Sequence, residues 1–207
     1  MPAARTLVSA APHRRVGIIP CPWFQPNPIE YESLLERDFV RVALLDPNVT
    51  AISHQPFKVD LGDRRSYTPD FLLIGPKSRL IVEVKPEARA RSPKTAHLLA
   101  QAKEALHASG YDFMVATEQY IRSDKRHERA AVLLRHARSQ IPHATLDAVM
   151  HTAAALSVCN PTIASLSEQA DVPVATILHL IGRRRLRLAP SLHFGLDEIV
   201  SIVGVAS

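Results

Sequence analysis

Tyr67-Thr68-Pro69-Asp70-Phe71-Leu72-Leu73-Ile74, a turn at Gly75-Pro76-Lys77-Ser78, and then Leu80-Ile81-Val82-Glu83-Val84-Lys85-Pro86 form the stretch that decides the fold. Both runs are dense in apolar and β-branched residues, and the break between them is short and polar, so they read as two strands joined by a hairpin. Asp70 follows a proline inside an apolar strand, where an unpaired ionised group is costly and needs a partner. In the second run the alternation places Glu83 and Lys85 on one face and Val82 and Val84 on the other. The hairpin then brings Asp70 toward Glu83, and two clustered carboxylates repel unless a cation or a proton sits between them. Oxygen ligands of this kind favour a hard ion such as magnesium or manganese. A cross-strand salt bridge is the alternative account of Glu83 and Lys85.

Working outward, Val49 to Val59 reads as a third strand, linked to the first run by the turn Gly62-Asp63-Arg64-Arg65. Asn27, Pro28 and Glu30 have the pattern of an N-cap, a first-turn proline and an N3 acid, with Leu35, Phe39 and Val42 following at helical spacing. That pattern predicts a helix over about 28–45, ended by Asp46-Pro47-Asn48. Downstream, Ser92-Pro93 opens a helix bearing Leu98, Leu99, Ala102 and Leu106, which closes at Gly110 before a strand from Tyr111 to Thr117. Strand, helix, strand in that order implies a parallel, right-handed crossover. A further helix is expected over 125–138, with Leu133, Leu134 and Ala137 on its apolar side. The fold class is therefore α/β, a mixed sheet flanked by helices. From Ile141-Pro142 onward the pattern is helical, with amphipathic runs at Leu146 to Leu156, Ile163 to Gln169 and Val174 to Ile181. The expected organisation is a basic N-terminal tail (1–27), an α/β domain (28–140) and a small helical module (141–207).

The chain has 207 residues, 46% hydrophobic and 22% charged, which is ordinary globular composition and excludes disordered and fibrous classes. No apolar run approaches the roughly 18 residues of a membrane span. Cys21 and Cys159 are far apart and lack partners at metal-ligand spacing, so neither a disulfide framework nor a zinc site is expected, and a reducing, cytoplasmic setting fits. Arg5, Arg14 and Arg15 precede any acid, without the apolar core of a secretory signal, leaving an organellar transit peptide open. The ten histidines are scattered and read as surface or structural. The formal net charge of +5 is uneven: residues 1–140 carry 21 Lys and Arg against 15 Asp and Glu, whereas the remainder carries 4 against 5. The first part is thus the expected polyanion partner.

Taken together, Pro69-Asp70 followed by Glu83-x-Lys85 resembles the core of the PD-(D/E)xK nuclease superfamily. With Glu32-Ser33-Leu34-Leu35-Glu36-Arg37-Asp38-Phe39, Asp46-Pro47, Val49, Gln55-Pro56, Tyr67 to Phe71 and Val82 to Pro86 in order, residues 28–120 resemble the TnsA-type endonuclease N-terminal domain. The resemblance implies a restriction-endonuclease-like fold of bacterial or phage origin and a Mg²⁺-dependent DNA endonuclease, with Mn²⁺ as substitute. It implies Asp70 and Glu83 as metal ligands, Lys85 beside the attacking water or scissile phosphate, and Glu36 at the edge of the site. It also implies double-stranded DNA as substrate, cut at the 5′ ends of a mobile element beside an integrase-like transposase and an ATPase regulator. Ser33-x-x-Glu36 equally satisfies a capping box, and Glu32 is a rival acid. Gln55 is a candidate neighbour of the site. Arg64, Arg65, Arg89, Arg91 and Lys94 flank it in sequence and either neutralise phosphates or occupy solvated turns.

In the C-terminal segment, Ile163 to Ala170, Asp171-Val172-Pro173 and Val174 to Ile181 resemble a helix-turn-helix, with Gly182 to Arg187 as a basic wing. Its second helix or Arg183, Arg184 and Arg185 would touch DNA, or the winged-helix-like trio would dock protein. His179 reads as structural. A free-standing phage or defence nuclease and a non-catalytic DNA-binding or assembly adapter are the alternatives to a transposase subunit.

Overall fold

The computed structural model describes residues 16–204, which form two compact units, one ending at Arg122 and the other running from Ser123 together with Leu44–Pro47. In the first unit, strand β1 (Gly17–Ile19) pairs antiparallel with β2 (Ile29–Tyr31), and helix α1 (Leu34–Ala43) follows. Strands β3 (Ala51–His54), β4 (Val59–Asp60), β5 (Ser66–Tyr67), β6 (Phe71–Ile74) and β7 (Arg79–Val84) come next. Helices α2 (Glu87–Ala90) and α3 (Pro93–Ala108), strand β8 (Asp112–Ala116) and helix α4 (Glu118–Ile121) complete the unit.

The central sheet has the order β3-β6-β7-β8. Its first three strands are antiparallel and β8 lies parallel to β7, so the hairpins and the crossover expected around Asp70 and Glu83 are both present. The turn after β6 works because Gly75 takes a close contact: a Cβ there would stand 2.6 Å from Ser78 Oγ and 2.8 Å from the Asn48 carbonyl. One sheet face carries Phe71, whose ring meets Phe39 of α1 at 5.4 Å between centroids. The opposite face carries Ile81, packed with Tyr67 and with Leu99, Ala102 and Leu106 of α3. Burying a side chain of that size contributes about 1.5–3 kcal/mol, so these few residues clamp α3 across the sheet. The outer edge of β3 is closed by one side chain, since Gln25 both donates to the Ile52 carbonyl and accepts from the Ile52 N–H.

The start of α1 differs from the sequence expectation. Residues 28–31 are not helical: Ile29, Glu30 and Tyr31 are strand, and the helix begins at Leu34 with Ser33 as its cap. Alternating Ile29 and Tyr31 suit a ribbon, and the Ser33 hydroxyl satisfies the Glu36 N–H as a cap must. The expected strand from 49 to 59 is also interrupted, because Gln55 takes a positive φ of 41° before Pro56 and the chain restarts as β4. Of the N-terminal stretch 1–27, residues 1–15 lie outside the described residues, and 17–19 form β1.

The second unit contains α5 (Arg126–His136), α6 (His143–Ala155), α7 (Ile163–Gln169), α8 (Val174–Gly182) and the short antiparallel strands β9 (Leu186–Arg187) and β10 (Ser201–Ile202). Helix α5 packs in this unit, against α8, because Gly182 leaves room: a Cβ there would lie 2.3 Å from the Leu133 carbonyl oxygen and 2.9 Å from Ala137 Cβ. Thr162 and Ser165 form a capping box that fixes the start of α7. Among the described residues, no helix is long and apolar enough to cross a membrane.

Candidate active site

The register that pairs Phe71 with Val82 sets Asp70 opposite Glu83 at the ends of β6 and β7. The Val84 N–H donates to Asp70 Oδ2 at 2.8 Å, which anchors that carboxylate to the neighbouring strand. Lys85 reaches both acids: its Nζ lies 2.5 Å from Glu83 Oε1 and 3.5 Å from Asp70 Oδ2. Glu83 is only 3% exposed, so this is a buried carboxylate held beside a second acid, the arrangement expected from the alternation in β7.

The electrostatics follow from that crowding. Burial, and then the charge of Glu83, push the Asp70 carboxyl up to about 7 against the pull of Lys85 and the Val84 N–H. Burial by itself would lower the Lys85 ammonium, but attraction to Asp70 and Glu83 outweighs it and the group is raised. Two acids share one lysine, and like charges so placed repel unless a proton or a cation lies between them.

Tyr67 contributes a group that the sequence reading names within the strand and the family motif but gives no role of its own. Its phenol donates to Glu83 Oε2 from a position that is 6% exposed. Burial, then the negative charge of Glu83, raise the phenol well above its ordinary value, so it stays a donor. Its signal in the sequence was faint, because tyrosine in a strand ordinarily needs no explanation beyond packing.

Glu36 is buried in α1 and serves the capping role: Oε1 accepts from the Ser33 hydroxyl at 2.9 Å and Oε2 from the Glu32 N–H at 2.7 Å. Burial raises its carboxyl, and the field of Lys85 acts in the opposite sense, so the two groups feel each other without a hydrogen bond between them. Gln55 joins the strands next to this point, donating its N–H to the Asp70 carbonyl at 2.8 Å and its side-chain amide to Glu32 Oε1 at 3.3 Å. His54 packs on Phe71 and stands 4.0 Å from Glu36 Oε2.

The basic residues divide into two kinds. Arg64, Arg65, Arg89, Arg91 and Lys94 are exposed. Arg65 hydrogen-bonds Gln101 of α3 at 3.2 Å, which ties the β4–β5 turn to that helix, and Arg91 pairs with Glu87 at 2.5 Å. In the second unit Arg183 Nε donates to the Ala137 carbonyl at 2.6 Å and Arg184 Nη2 to the Asp46 carbonyl at 2.8 Å, while Arg185 is exposed. Residues Thr176 to Gly182 of α8 are buried. The expectation that this helix could present a reading face therefore meets a physical obstacle: its side chains are spent on α5, α6 and α7.

Asp70 and Glu83 fit a hard divalent ion. Magnesium is usually held by one or two carboxylates while keeping several waters, so this pair suffices as the protein's share. Among the described residues, no set of three or more His, Cys, Asp and Glu side chains gathers in an arrangement that could hold a metal.

Glu83 near the end of β7 with Lys85 just beyond it, Asp70 just before β6, and helices on both sheet faces form a mixed α/β domain of restriction-endonuclease-like fold. Residues 46–118, about a third of the chain, match the family model described as TnsA-like endonuclease N terminal, which supports a TnsA-type nuclease. This stretch contains Asp70, Glu83 and Lys85, and lies within the region whose motifs resemble that family. No curated protein matches the chain closely enough to be counted a relative.

Proposed function

We propose that the chain is a divalent-metal-dependent DNA endonuclease, the subunit of a heteromeric transposase that cleaves the 5′ ends of a mobile element. One observation above all supports this reading: Asp70 and Glu83 converge on Lys85 Nζ inside the segment that matches the TnsA-like endonuclease model. A structural ion pair needs one acid per lysine, and a second, half-buried acid beside the buried Glu83 is a cost without a cation to hold.

Asp70 and Glu83 would hold the ion, Mg²⁺ with Mn²⁺ as substitute. When bound, it would polarise the phosphodiester and lower the pKa of its water. Lys85, kept protonated by the two acids, would offset the negative charge that gathers on the phosphate during attack. Asp70 must be ionised to serve as a ligand, and a cation replaces the repulsion of Glu83 with attraction. Glu36 would act at the edge of the site through its field while keeping α1 capped. Arg64, Arg65, Arg89, Arg91 and Lys94 would neutralise phosphates of double-stranded DNA, which makes binding salt-dependent. An integrase-like transposase and an ATPase regulator would be the partners, and the setting would be cytoplasmic.

The test is nicking of supercoiled plasmid by the purified chain in Mg²⁺ and in Mn²⁺, with and without those partners, against Asp70→Ala and Lys85→Ala. Metal-dependent nicking that both substitutions abolish supports the reading. Nicking by both variants at the wild-type rate would remove these residues from the site, and no nicking even with partners would leave a non-catalytic adapter.

A further inference from the structure

Glu83 makes two different contacts, one through each carboxylate oxygen. Oε2 takes the phenolic hydrogen of Tyr67, and Oε1 faces Lys85 Nζ at 2.5 Å. The Tyr67 ring is held among Ile81, Leu99, Ala102 and Leu106, so its hydroxyl is aimed by packing from α3 as well as by its own strand. A glutamate has several rotatable bonds, and a free carboxylate in this position would be drawn away from Asp70 by like-charge repulsion. A rigid aromatic donor on the far oxygen opposes that movement.

We infer that Tyr67 is a positioning residue of the site: its hydroxyl holds Glu83 Oε2 and so keeps Oε1 turned toward the point shared with Asp70 and Lys85. The inference rests on the reading of Asp70 and Glu83 as divalent-metal ligands. It gives α3 a part in the chemistry, because the helix that fixes the ring thereby fixes a ligand. Hydrogen-bond partners of metal-binding carboxylates typically change metal affinity by about 10- to 100-fold when removed.

The experiment is calorimetric titration of the full chain with Mn²⁺, comparing wild type, Tyr67→Phe and Asp70→Ala, with folding of each checked by circular dichroism. Tyr67→Phe keeps the ring and deletes only the hydroxyl, and its Kd for Mn²⁺ should rise about 10-fold or more while the circular dichroism spectrum is retained. A Kd within twofold of wild type, with Asp70→Ala abolishing binding, overturns the role of Tyr67 and leaves the metal reading intact. A wild type that binds no Mn²⁺, or Asp70→Ala that binds as wild type does, overturns both. Should Tyr67→Phe fail to fold, the same deletion is made beside Glu83→Gln, where no buried carboxylate loses its donor. Its effect on Kd should then stay within twofold of Glu83→Gln alone, because the hydroxyl acts through the carboxylate, and a further 10-fold loss would contradict that route.

Discussion

At the ends of β6 and β7, a half-buried and a buried acid face each other and share one lysine, whereas at the end of α8 two arginines turn back onto main-chain carbonyls. Both regions are short, charged and adjacent to strands, and in sequence both invite a functional reading. Their difference lies in what each charge meets. Carbonyl oxygens at a helix end are orphan acceptors, so Arg183 satisfies the Ala137 carbonyl just past α5 and costs the fold nothing further. Asp70 meets another carboxylate, and burial together with the charge of Glu83 pushes its carboxyl up to about 7. A half-buried charge matched by backbone dipoles is architecture, and one set beside a charge of its own sign is held there against stability.

The contrast can be broken most sharply at Asp70. Asp70→Asn keeps the shape and removes the repulsion, so plasmid nicking is expected to fall by at least about 100-fold while the unfolding midpoint without metal holds or rises. A midpoint that drops with the activity would make the pair a structural one. Gly182→Ala is the counterpart in the second unit. The added methyl would meet the Leu133 carbonyl at 2.3 Å, and a loss toward the upper end of about 1–3 kcal/mol is expected by urea denaturation. Arg183→Ala should cost about 1 kcal/mol, because it leaves the Ala137 carbonyl unpaired, and Arg185→Ala should stay within about 0.5 kcal/mol. Equal costs at the two positions would dissolve the distinction between an anchoring arginine and an exposed one.

The smallest effect is expected at His179, buried in α8 with Nδ1 at 3.0 Å from the His136 carbonyl. Burial lowers its pKa below the ordinary 6.5, so the unfolded chain takes up a proton more readily than the folded one. Its contribution to stability is therefore complete above about pH 6.5 and is lost as pH falls through the lower folded value. Urea midpoints measured between pH 8 and pH 5 should show this decline in wild type and a shallower one in His179→Gln.

Much of the first unit was legible because its signals are local and periodic. The alternation in β7 placed Glu83 and Lys85 on one face, Ser92-Pro93 marked the start of α3, and Gly110 marked its end with a φ of 78°. The start of α1 was misread because Asn27-Pro28 mimics a cap, and the competing cap at Ser33 gains its strength from hydrogen bonds that sequence does not display. Glu36 shows the same limit, since one carboxylate both caps the helix and feels Lys85. Tyr67 was opaque because its partner is 16 residues away on another strand and its hydroxyl finds Glu83 only after β5 folds over the sheet. The buried state of α8 was hidden for a similar reason: helical spacing reveals one apolar side, and α8 is covered on several by helices distant in sequence.

The most direct test is an anomalous diffraction map of the full chain crystallised with Mn²⁺. The expected result is a single strong peak, or a close pair, bounded by carboxylate oxygens of Asp70 and Glu83, with Lys85 Nζ displaced from the position it now shares with both. A map with no peak between these acids, with Lys85 still bridging them at saturating Mn²⁺, would contradict the account.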